Sequence, residues 1–267
     1  MKEAYGLSYG REMTSATEAG AWLAAASTIT VLTGAGISTD SGIPDFRGPN
    51  GLWTRDPAAA RLSDLDAYIA EPEVRRRAWI GRRDHPAWSA EPNAGHRALV
   101  DLERTGRLLA IVTQNIDGLH QRAGSDPARV VEVHGTIHEV VCLACDDRTT
   151  MRSALARVAD GEADPDCQHC GGILKSATIS FGQSLDRATL QRAFSCAHEC
   201  DALIAVGTSL QVYPVAAMVE HAAAAGAKVI IINAQPTPYD GVVDAVIREP
   251  IGTALPTLVA QVPAASR

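Results

Sequence analysis

Four cysteines of this chain form two pairs, and each pair has the spacing of a metal-binding turn. Cys142 and Cys145 are the first pair, Cys167 and Cys170 are the second, and 21 residues separate the pairs. Four thiolates in two such turns make a closed tetrahedral site for zinc, with no position left for substrate or water. Redox chemistry usually needs a single pair at a strand-to-helix junction, so the pattern favours one structural zinc ion.

A glycine turn directly follows an apolar run at residues 28–32. Gly34 and Gly36 let the backbone approach a diphosphate, whose charge backbone amides can meet. Thr39 stands where the dinucleotide fingerprint has a third glycine, and no second strand ending in an acid follows, so hydride transfer is not indicated. The glycines alone would fit a plain turn, but the unusual loop at residues 40–48 favours a ligand site.

Polar side chains follow a second apolar run, in the segment from residue 113 to residue 120. Asn115 and Asp117 lie there, and the carboxyl ends of parallel strands meet at one edge of a sheet, so both side chains should face the same crevice as the glycine turn. His134 follows a third short run and could act as a general base, because its ordinary pKa is close to working pH. A single histidine is more often structural, but its place in this crevice distinguishes His134 from the other histidines.

Four apolar runs supply the elements that must position these groups. They are residues 28–32, 108–112, 202–206 and 228–232. Each is continuously hydrophobic and not alternating, which predicts buried parallel strands. The alanine-rich residues 214–226 end in glycine and predict a crossover helix. This order predicts an α/β fold with a doubly wound, mainly parallel, Rossmann-like sheet.

Two regions interrupt that order and predict a smaller lobe. Residues 48–92 should form helices with loops, and residues 138–176 carry the four cysteines. The larger lobe would comprise approximately residues 15–47, 93–137 and 177–262, whereas residues 1–14 and 263–267 are expected to be loosely ordered. Cys196 and Cys200 would share one helix face and are expected to be buried packing residues.

Composition narrows the possible partners. The 267 residues carry a net charge of −7, so no global basic field is available to hold a phosphate backbone, and the loop between the cysteine pairs has no basic stripe. We therefore expect no direct nucleic-acid ligand. No apolar run is long enough for a signal peptide or membrane span, which predicts a cytoplasmic protein without a membrane partner.

Several runs of residues together resemble one family. The runs are GAGIS, GIPDFRG, TQNIDGLH, VHG, the two Cys-x-x-Cys pairs, FG, GTSLQVYP, and IN followed by TP. In order and spacing they are similar to the bacterial-type sirtuins over about residues 21–258. The resemblance implies an NAD-dependent protein lysine deacylase, with acetyl as the first expected acyl group, that transfers the acyl group to ADP-ribose and releases nicotinamide.

The resemblance also implies roles for individual residues. His134 would accept a proton from a ribose hydroxyl, and Asn115 and Asp117 would complete the catalytic set. NAD would contact Gly34, Ala35, Gly36, Ile43, Phe46, Arg47, Gln114, Asn115, Ile116, Asp117, Gly207, Thr208, Ser209, Asn233, Gln235 and Ile251. The acylated lysine peptide would add as a strand between two segments, Phe181 with Gly182, and Gln211 with Val212 and Tyr213. Phe46, Ile179 and Phe181 would line a dry channel for the lysine stem.

The chain departs from the family pattern at three places. Gln183 replaces a frequent acid, and residues 175–177 lack a common proline. Sirtuins that favour acidic acyl groups carry Tyr-x-x-Arg where this chain has Trp79 and Arg82. The missing phenol favours acetyl or another neutral acyl group, with Trp79 and Arg82 still expected in the substrate site; Arg82 could instead belong to a solvated helix face.

Three alternatives remain at this point. The same NAD site could serve protein mono-ADP-ribosylation, and retention of Arg82 leaves desuccinylation open. A non-catalytic, zinc-bearing NAD sensor would use the same motifs without turnover.

Overall fold

A parallel sheet forms the centre of the computed structural model, which describes residues 16–49 and 51–265. In chain order the strands are β1 (Ile29–Thr33), β2 (Leu108–Thr113), β3 (Val130–Glu132), β4 (Gly135–Cys142), β5 (Arg148–Thr150), β6 (Leu174–Thr178), β7 (Ala202–Val206), β8 (Lys228–Ile232) and β9 (Ala245–Ile247). Six of them make the large sheet, in the order β3-β2-β1-β7-β8-β9, and all neighbours in it run parallel. The predicted doubly wound α/β class is confirmed.

Helices cover both faces of this sheet, and others lie outside it. In chain order the α-helices of the described residues are α1 (Ala16–Ala25), α2 (Leu52–Arg55), α3 (Leu65–Ala70), α4 (Pro72–Arg83), α5 (Ala94–Arg104), α6 (Leu119–Ala123), α7 (Met151–Ala159), α8 (Arg187–Glu199), α9 (Met218–Ala224) and α10 (Ile251–Val259). Alternate residues of each strand face opposite layers: Val31 joins a core with α1, α5 and α10, and Leu32 joins a second core with α8 and α9. Because both faces are buried, the strands are apolar throughout, and this is the pattern that predicted them.

The predicted elements differ from the observed ones mainly at their ends. β1 and β2 each extend to the threonine after the predicted run, and β7 and β8 have the predicted bounds. The predicted crossover helix begins as a 3-10 turn, Val215–Ala217, continues as α9, and is followed by Gly226 at φ 92°. Cys196 and Cys200 are buried in the second core, as expected.

The smaller lobe combines α2, α3 and α4 with a second sheet of order β5-β4-β6 and with α7. Tyr68 of α3 donates its hydroxyl to the carbonyl of Leu174, 2.7 Å away, and Arg75 of α4 forms a 2.7 Å ion pair with Asp164. Trp79 of α4 is fully buried against the strand and helix residues around the cysteines. The helical and cysteine-bearing parts therefore pack as one unit.

The remaining expectations concern the ends of the chain and membranes. Residues 1–14 lie outside the described residues, as do residues 266 and 267. Ala265, near the other end, donates its backbone N–H to Thr105. Among the described helices, none is both long and apolar enough to cross a membrane.

Candidate active site

Three glycines bring the loops after β1 and β7 into backbone contact. A Cβ on Gly36 would lie 2.7 Å from the Cα of Gly207, and one on Gly34 would lie 2.8 Å from the Gly207 carbonyl oxygen. The N–H of Gly36 donates to that same oxygen at 2.8 Å, and Gly207 itself has φ 61°. No side chain fits between these strands' ends, so the floor of the crevice is bare main chain that a diphosphate could approach.

The glycine turn continues as a 3-10 segment, Ala35–Ser41, which carries a buried serine into the crevice. Ser38 donates its hydroxyl to Asp117 Oδ2 at 2.7 Å and accepts from Asn115 Nδ2 at 3.1 Å. The other carboxylate oxygen of Asp117 accepts the backbone N–H of Leu119 at 2.9 Å. Asn115 and Asp117, both predicted from the sequence, are therefore held in fixed orientations by Ser38, which the sequence analysis left out of the site.

His134 lies at the end of β3, half-buried beside the loop that follows β2. Its Nδ1 is 3.1 Å from the carbonyl oxygen of Gln114, and because a carbonyl only accepts, Nδ1 carries the proton. The basic lone pair is therefore on Nε2. Burial lowers the pKa of His134 below its usual value, and the hydrogen bond to Gln114 opposes that shift. A neutral imidazole with a defined tautomer can accept a proton at neutral pH.

The other predicted cofactor residues lie along the same edge of the sheet. Gln114 donates its side-chain amide to the hydroxyl of Thr208, 3.0 Å away, which joins the loops after β2 and β7. Ile43 is buried beside Leu119. The loops already described also contain Ala35, Ile116 and Ser209. After β8, the side-chain amide of Asn233 donates to the backbone carbonyl of Gln235, and Ile251 is the first residue of α10. The structure thus brings the predicted set to one edge, where the strands' carboxyl ends meet.

An aromatic cluster borders the crevice on the side of the smaller lobe. The ring of Trp53 lies 4.8 Å from Phe46 and 5.3 Å from Phe181 between centroids, and the Arg47 guanidinium stacks over it at 4.6 Å. Phe46 and Phe181 were predicted to line an apolar channel, whereas Trp53 was missed. The sequence signal that could have found it is its position next to the unusual glycine and proline loop.

The backbone of Phe181 is already paired on one side by a single parallel bridge. Its N–H donates to the carbonyl of Ser63 at 2.8 Å, and its carbonyl accepts from Leu65 at 3.0 Å, in a parallel bridge. Ile179, two residues earlier, donates to the carbonyl of His134 at 2.9 Å. The chain from Ile179 to Gly182 therefore runs from the histidine to the surface, and Gly182 takes φ 83° there.

The second predicted peptide segment leaves a tyrosine exposed. Gln211, Val212 and Tyr213 lie in the loop after β7, and the Tyr213 side chain is 61% exposed. Its hydroxyl bonds to that of Tyr239 at 2.9 Å, and Tyr239 in turn donates to Glu220 at 2.8 Å. The Tyr213 ring is thus exposed, while its hydroxyl is held by the hydrogen bond to Tyr239.

The structure places Trp79 and Arg82 differently from each other. Trp79 has no exposed surface with which to contact a substrate, and it packs with Cys142 and Leu174. Arg82 is half-buried between the rings of Trp79 and Tyr68, and its Nη1 lies 3.0 Å from the Tyr68 hydroxyl. Trp79 is therefore a packing residue in this structure, whereas Arg82 is held at the edge of the smaller lobe by a phenol from α3.

The four cysteine sulfurs converge on one point. Cys142 and Cys170 are 3.5 Å apart, Cys145 and Cys167 are 3.8 Å apart, and all four sulfurs lie within 4.8 Å of one another. A zinc ion with Zn–S bonds of about 2.3 Å requires sulfur separations of about 3.8 Å in a tetrahedron. The donor set and its spacing therefore fit zinc, with Cys142 at the end of β4, Cys145 in the turn after it, and the other two ligands in the turn before β6.

Comparison with known proteins agrees with this geometry. The Sir2 family model matches residues 34–214, which include the glycine turn, the histidine and the four cysteines. The chain belongs to the Sir2 family. NAD-dependent protein deacetylase 2 of Streptomyces coelicolor is 53% identical over 86% of this chain and 95% of its own.

Solved structures of this family have the same fold. A Sir2 enzyme with a TM-score of 0.84 is 39% identical and covers 92% of this chain and 97% of its own. A Sir2 variant solved with deacetylated p53 peptide and 3′-O-acetyl-ADP-ribose has a TM-score of 0.85 at 31% identity, covering 93% of this chain and 98% of that one.

Proposed function

We propose that this Sir2-family chain is an NAD-dependent protein lysine deacetylase, and that residues 15–262 form its catalytic domain. The observation that carries the proposal is the set of side chains at the carboxyl ends of β1, β2 and β3. There Ser38 fixes both Asn115 and Asp117, and His134 offers a neutral Nε2. The 53% identical relative from Streptomyces coelicolor carries the same activity in its name.

The bare floor of the crevice suits the diphosphate of NAD. Backbone N–H groups of the glycine turn, together with Thr208 and Ser209, would hold the diphosphate, and Asn233, Gln235 and Ile251 would contact the adenosine end. When bound, NAD supplies an activated bond between nicotinamide and ribose, and its ADP-ribose part receives the acyl group. Residues that would enclose it from the solvent side are Phe46 and Arg47, at the cluster with Trp53.

Each catalytic residue has a task that its contacts support. Asp117 would accept from the carboxamide of nicotinamide, because its carboxylate is oriented by Ser38 and by the Leu119 N–H. Asn115 would orient a ribose hydroxyl with the part of its amide that Ser38 leaves free. His134 would accept a proton on Nε2, since Gln114 holds its other nitrogen.

The substrate would be an acylated lysine within an extended peptide. Phe181 is paired on one side by Ser63 and Leu65, so a peptide strand would add on the other side, towards Gly182. Gln211, Val212 and Tyr213 would pair with the peptide's second edge, as in strand addition generally. The lysine stem would then enter along Ile179 towards His134.

Zinc would be structural in this enzyme. The four cysteines fill a tetrahedral set, and the ion would tie β4 to β6 beneath Trp79. None of the six cysteines forms a disulfide in this structure, and we propose a reducing, cytoplasmic location. Neither nucleic acid nor a membrane is proposed as a partner.

The test is incubation of an acetylated lysine peptide with NAD, followed by mass spectrometry. We expect loss of the acetyl group, release of nicotinamide and formation of O-acetyl-ADP-ribose. The variant H134A should bind NAD and fail to turn over. A gain of ADP-ribose on protein without loss of acetyl would instead indicate a mono-ADP-ribosyltransferase, and NAD binding without either product would indicate a sensor.

One observation supports a second candidate, an enzyme that removes acidic acyl groups such as succinyl. Lys175 is 1% exposed, and its ammonium donates to the carbonyl of Thr178, the residue before Ile179 in the proposed channel. Burial, with a further contribution from Arg82, lowers the pKa of Lys175 to about 7. Half-buried Arg82, held by the Tyr68 phenol, could receive a carboxylate there, and Lys175 behind it would add positive charge when protonated. A panel of acetyl, propionyl and succinyl peptides decides: a higher kcat/KM for succinyl that is lost in R82M supports this candidate.

A further inference from the structure

Two buried histidines lie beneath the glycine turn and have no task in the proposed reaction. His96 is in the first turn of α5 and is 0% exposed, and His120 is in α6 and is 1% exposed. Their ring centroids are 5.0 Å apart, with planes inclined by 57°. Buried polar rings this close share one environment, so the hydrogen bonds of each restrict the other.

The contacts of His96 fix its tautomer. The backbone N–H of Asn93, the N-cap of α5, donates to His96 Nδ1 at 3.3 Å as part of a capping box. A neutral imidazole that accepts on Nδ1 carries its proton on Nε2. The side-chain amide of Asn93 also donates to the Ile37 carbonyl at 2.8 Å and to the Ser41 hydroxyl at 2.9 Å. His96 is thereby linked to the far end of the glycine turn.

His120 is linked to the near end of the same turn. Its Nε2 lies 3.0 Å from the hydroxyl of Thr33, the last residue of β1 and the one before Gly34. The hydroxyl can either donate or accept in this contact. If it accepts, His120 carries its proton on Nε2 and its Nδ1 is a hydrogen-bond acceptor.

Two ring nitrogens are left over, and their chemistry is complementary. Among the described residues, His96 Nε2 and His120 Nδ1 are both buried without a hydrogen-bond partner. His96 Nε2 must be a donor, and His120 Nδ1 is an acceptor in the tautomer that donates to Thr33. In the opposite tautomer of His120 both nitrogens would be donors, so a water molecule between them would accept from both and find no acceptor here for its own hydrogens.

We propose that one water molecule joins His96 Nε2 and His120 Nδ1, accepting from the first and donating to the second, and that this pair positions the glycine turn for NAD. The chain of contacts then runs from Asn93 through both rings to Thr33, so it holds the turn at its two ends. It also braces the loop of Asp117, because His120 lies in the helix that begins directly after that loop. This inference rests on the proposed NAD site, and it makes both histidines positioning residues.

The charge state of the pair agrees with this arrangement. Burial lowers the pKa of His96 to about 4, where Asp117 acts in the opposite direction and Arg97 in the same direction. Burial, together with His96, lowers the pKa of His120 to about 3. Both rings are therefore neutral at physiological pH, as one donor facing one acceptor requires.

The experiment is a double-mutant cycle on the full chain. H96N keeps an acceptor near the Nδ1 position and loses the ε nitrogen, whereas H120Q keeps a donor for Thr33 and loses the δ nitrogen. NAD affinity is measured by direct titration, and KM for NAD and for peptide by nicotinamide release. We expect each single variant to weaken NAD binding by about 10-fold, since each loses one buried hydrogen bond. Peptide KM should be unchanged in both.

The double variant decides the pairing. If one water molecule joins the two nitrogens, the double variant loses no more than either single variant, about 10-fold. Independent effects that multiply to roughly 100-fold overturn the proposal. H198Q, at an exposed histidine of α8, is the control and should bind NAD as the parent does. A parent protein that binds NAD but transfers no acyl group contradicts the proposed function. The NAD affinities of the variants can still be compared in that case.

Nitrogen-15 NMR of the parent protein tests the same point without substitution. Both rings should be neutral with the proton on Nε2 between pH 5 and 8 (about the range in which ordinary histidines titrate). A His120 ring protonated on Nδ1, or on both nitrogens, overturns the pairing even if the variants fail to fold.

Discussion

Replacing Ser38 with alanine removes a hydroxyl that serves two buried partners at once. The serine side chain donates to the Asp117 carboxylate at 2.7 Å and accepts from the Asn115 amide at 3.1 Å, and Ser38 itself is 1% exposed. Water has little access to replace it. A hydrogen bond to a charged group contributes about 1.5–3 kcal/mol, which we take as the loss.

The expected effect on catalysis follows from that loss. If all of it is felt in the transition state, kcat/KM for NAD falls by roughly 10- to 150-fold. Asp117 keeps its bond to the Leu119 N–H, so the carboxylate stays in place but turns more freely. We therefore expect more of the loss in kcat than in the affinity for NAD.

The assay is initial-rate nicotinamide release at varied NAD, with direct NAD titration alongside. Thermal unfolding checks that the fold is intact. S195A, at an exposed serine of α8, is the matched control and should be unchanged. If S38A keeps the parent kcat/KM, the serine does not orient the two side chains and the account of the site is wrong.

Three further predictions address the glycine turn, the zinc site and the proposed base His134. G36A should raise KM for NAD by about 10-fold or more, because its Cβ would meet the main chain of Gly207 at 2.7 Å. The control is G81A, whose Cβ would have nothing within 4 Å. It should bind NAD normally and gain about 0.5–1 kcal/mol of helix stability. C170S or a chelator should remove zinc and at the same time lower the unfolding temperature. Metal analysis and calorimetry measure the two effects, and a zinc-free chain that unfolds at the temperature of the parent would contradict the prediction. Since only neutral His134 accepts a proton and burial lowers its pKa from 6.5, activity should fall as pH drops through a value below 6.5, and an acid limb above 7 would refute the assignment.

Much of the fold could be predicted because its strands are buried on both faces. Continuous apolar runs define β7 and β8 to the residue, and the cysteine spacing alone indicates the zinc site. The short strand β9 was not predicted, since three residues carry too little pattern to separate a strand from a loop.

Parts of the site could not be predicted because they depend on which way a side chain faces. Ser38 lies in a motif that was recognised, but its role depends on two partners about 80 residues away in the sequence. Trp79 was expected to contact the substrate because of its place in a motif. In the structure its side chain points from α4 towards the cysteine-bearing sheet and packs there. The available signal was that Trp79 directly follows Ala78, which lies one helical turn after Val74 and is buried like it.

The backbone pairing of Phe181 with Ser63 and Leu65 has a thermodynamic consequence. A peptide that adds to the other side of Phe181 would place Phe181 between the peptide and residues 63–65 of the smaller lobe. The Trp53 ring packs against Phe181. It also contacts Phe46 and Arg47, which belong to the loop that would cover NAD. Peptide and NAD thus act on one shared set of contacts, and any factor by which the peptide raises the affinity for NAD must equal the factor by which NAD raises the affinity for the peptide.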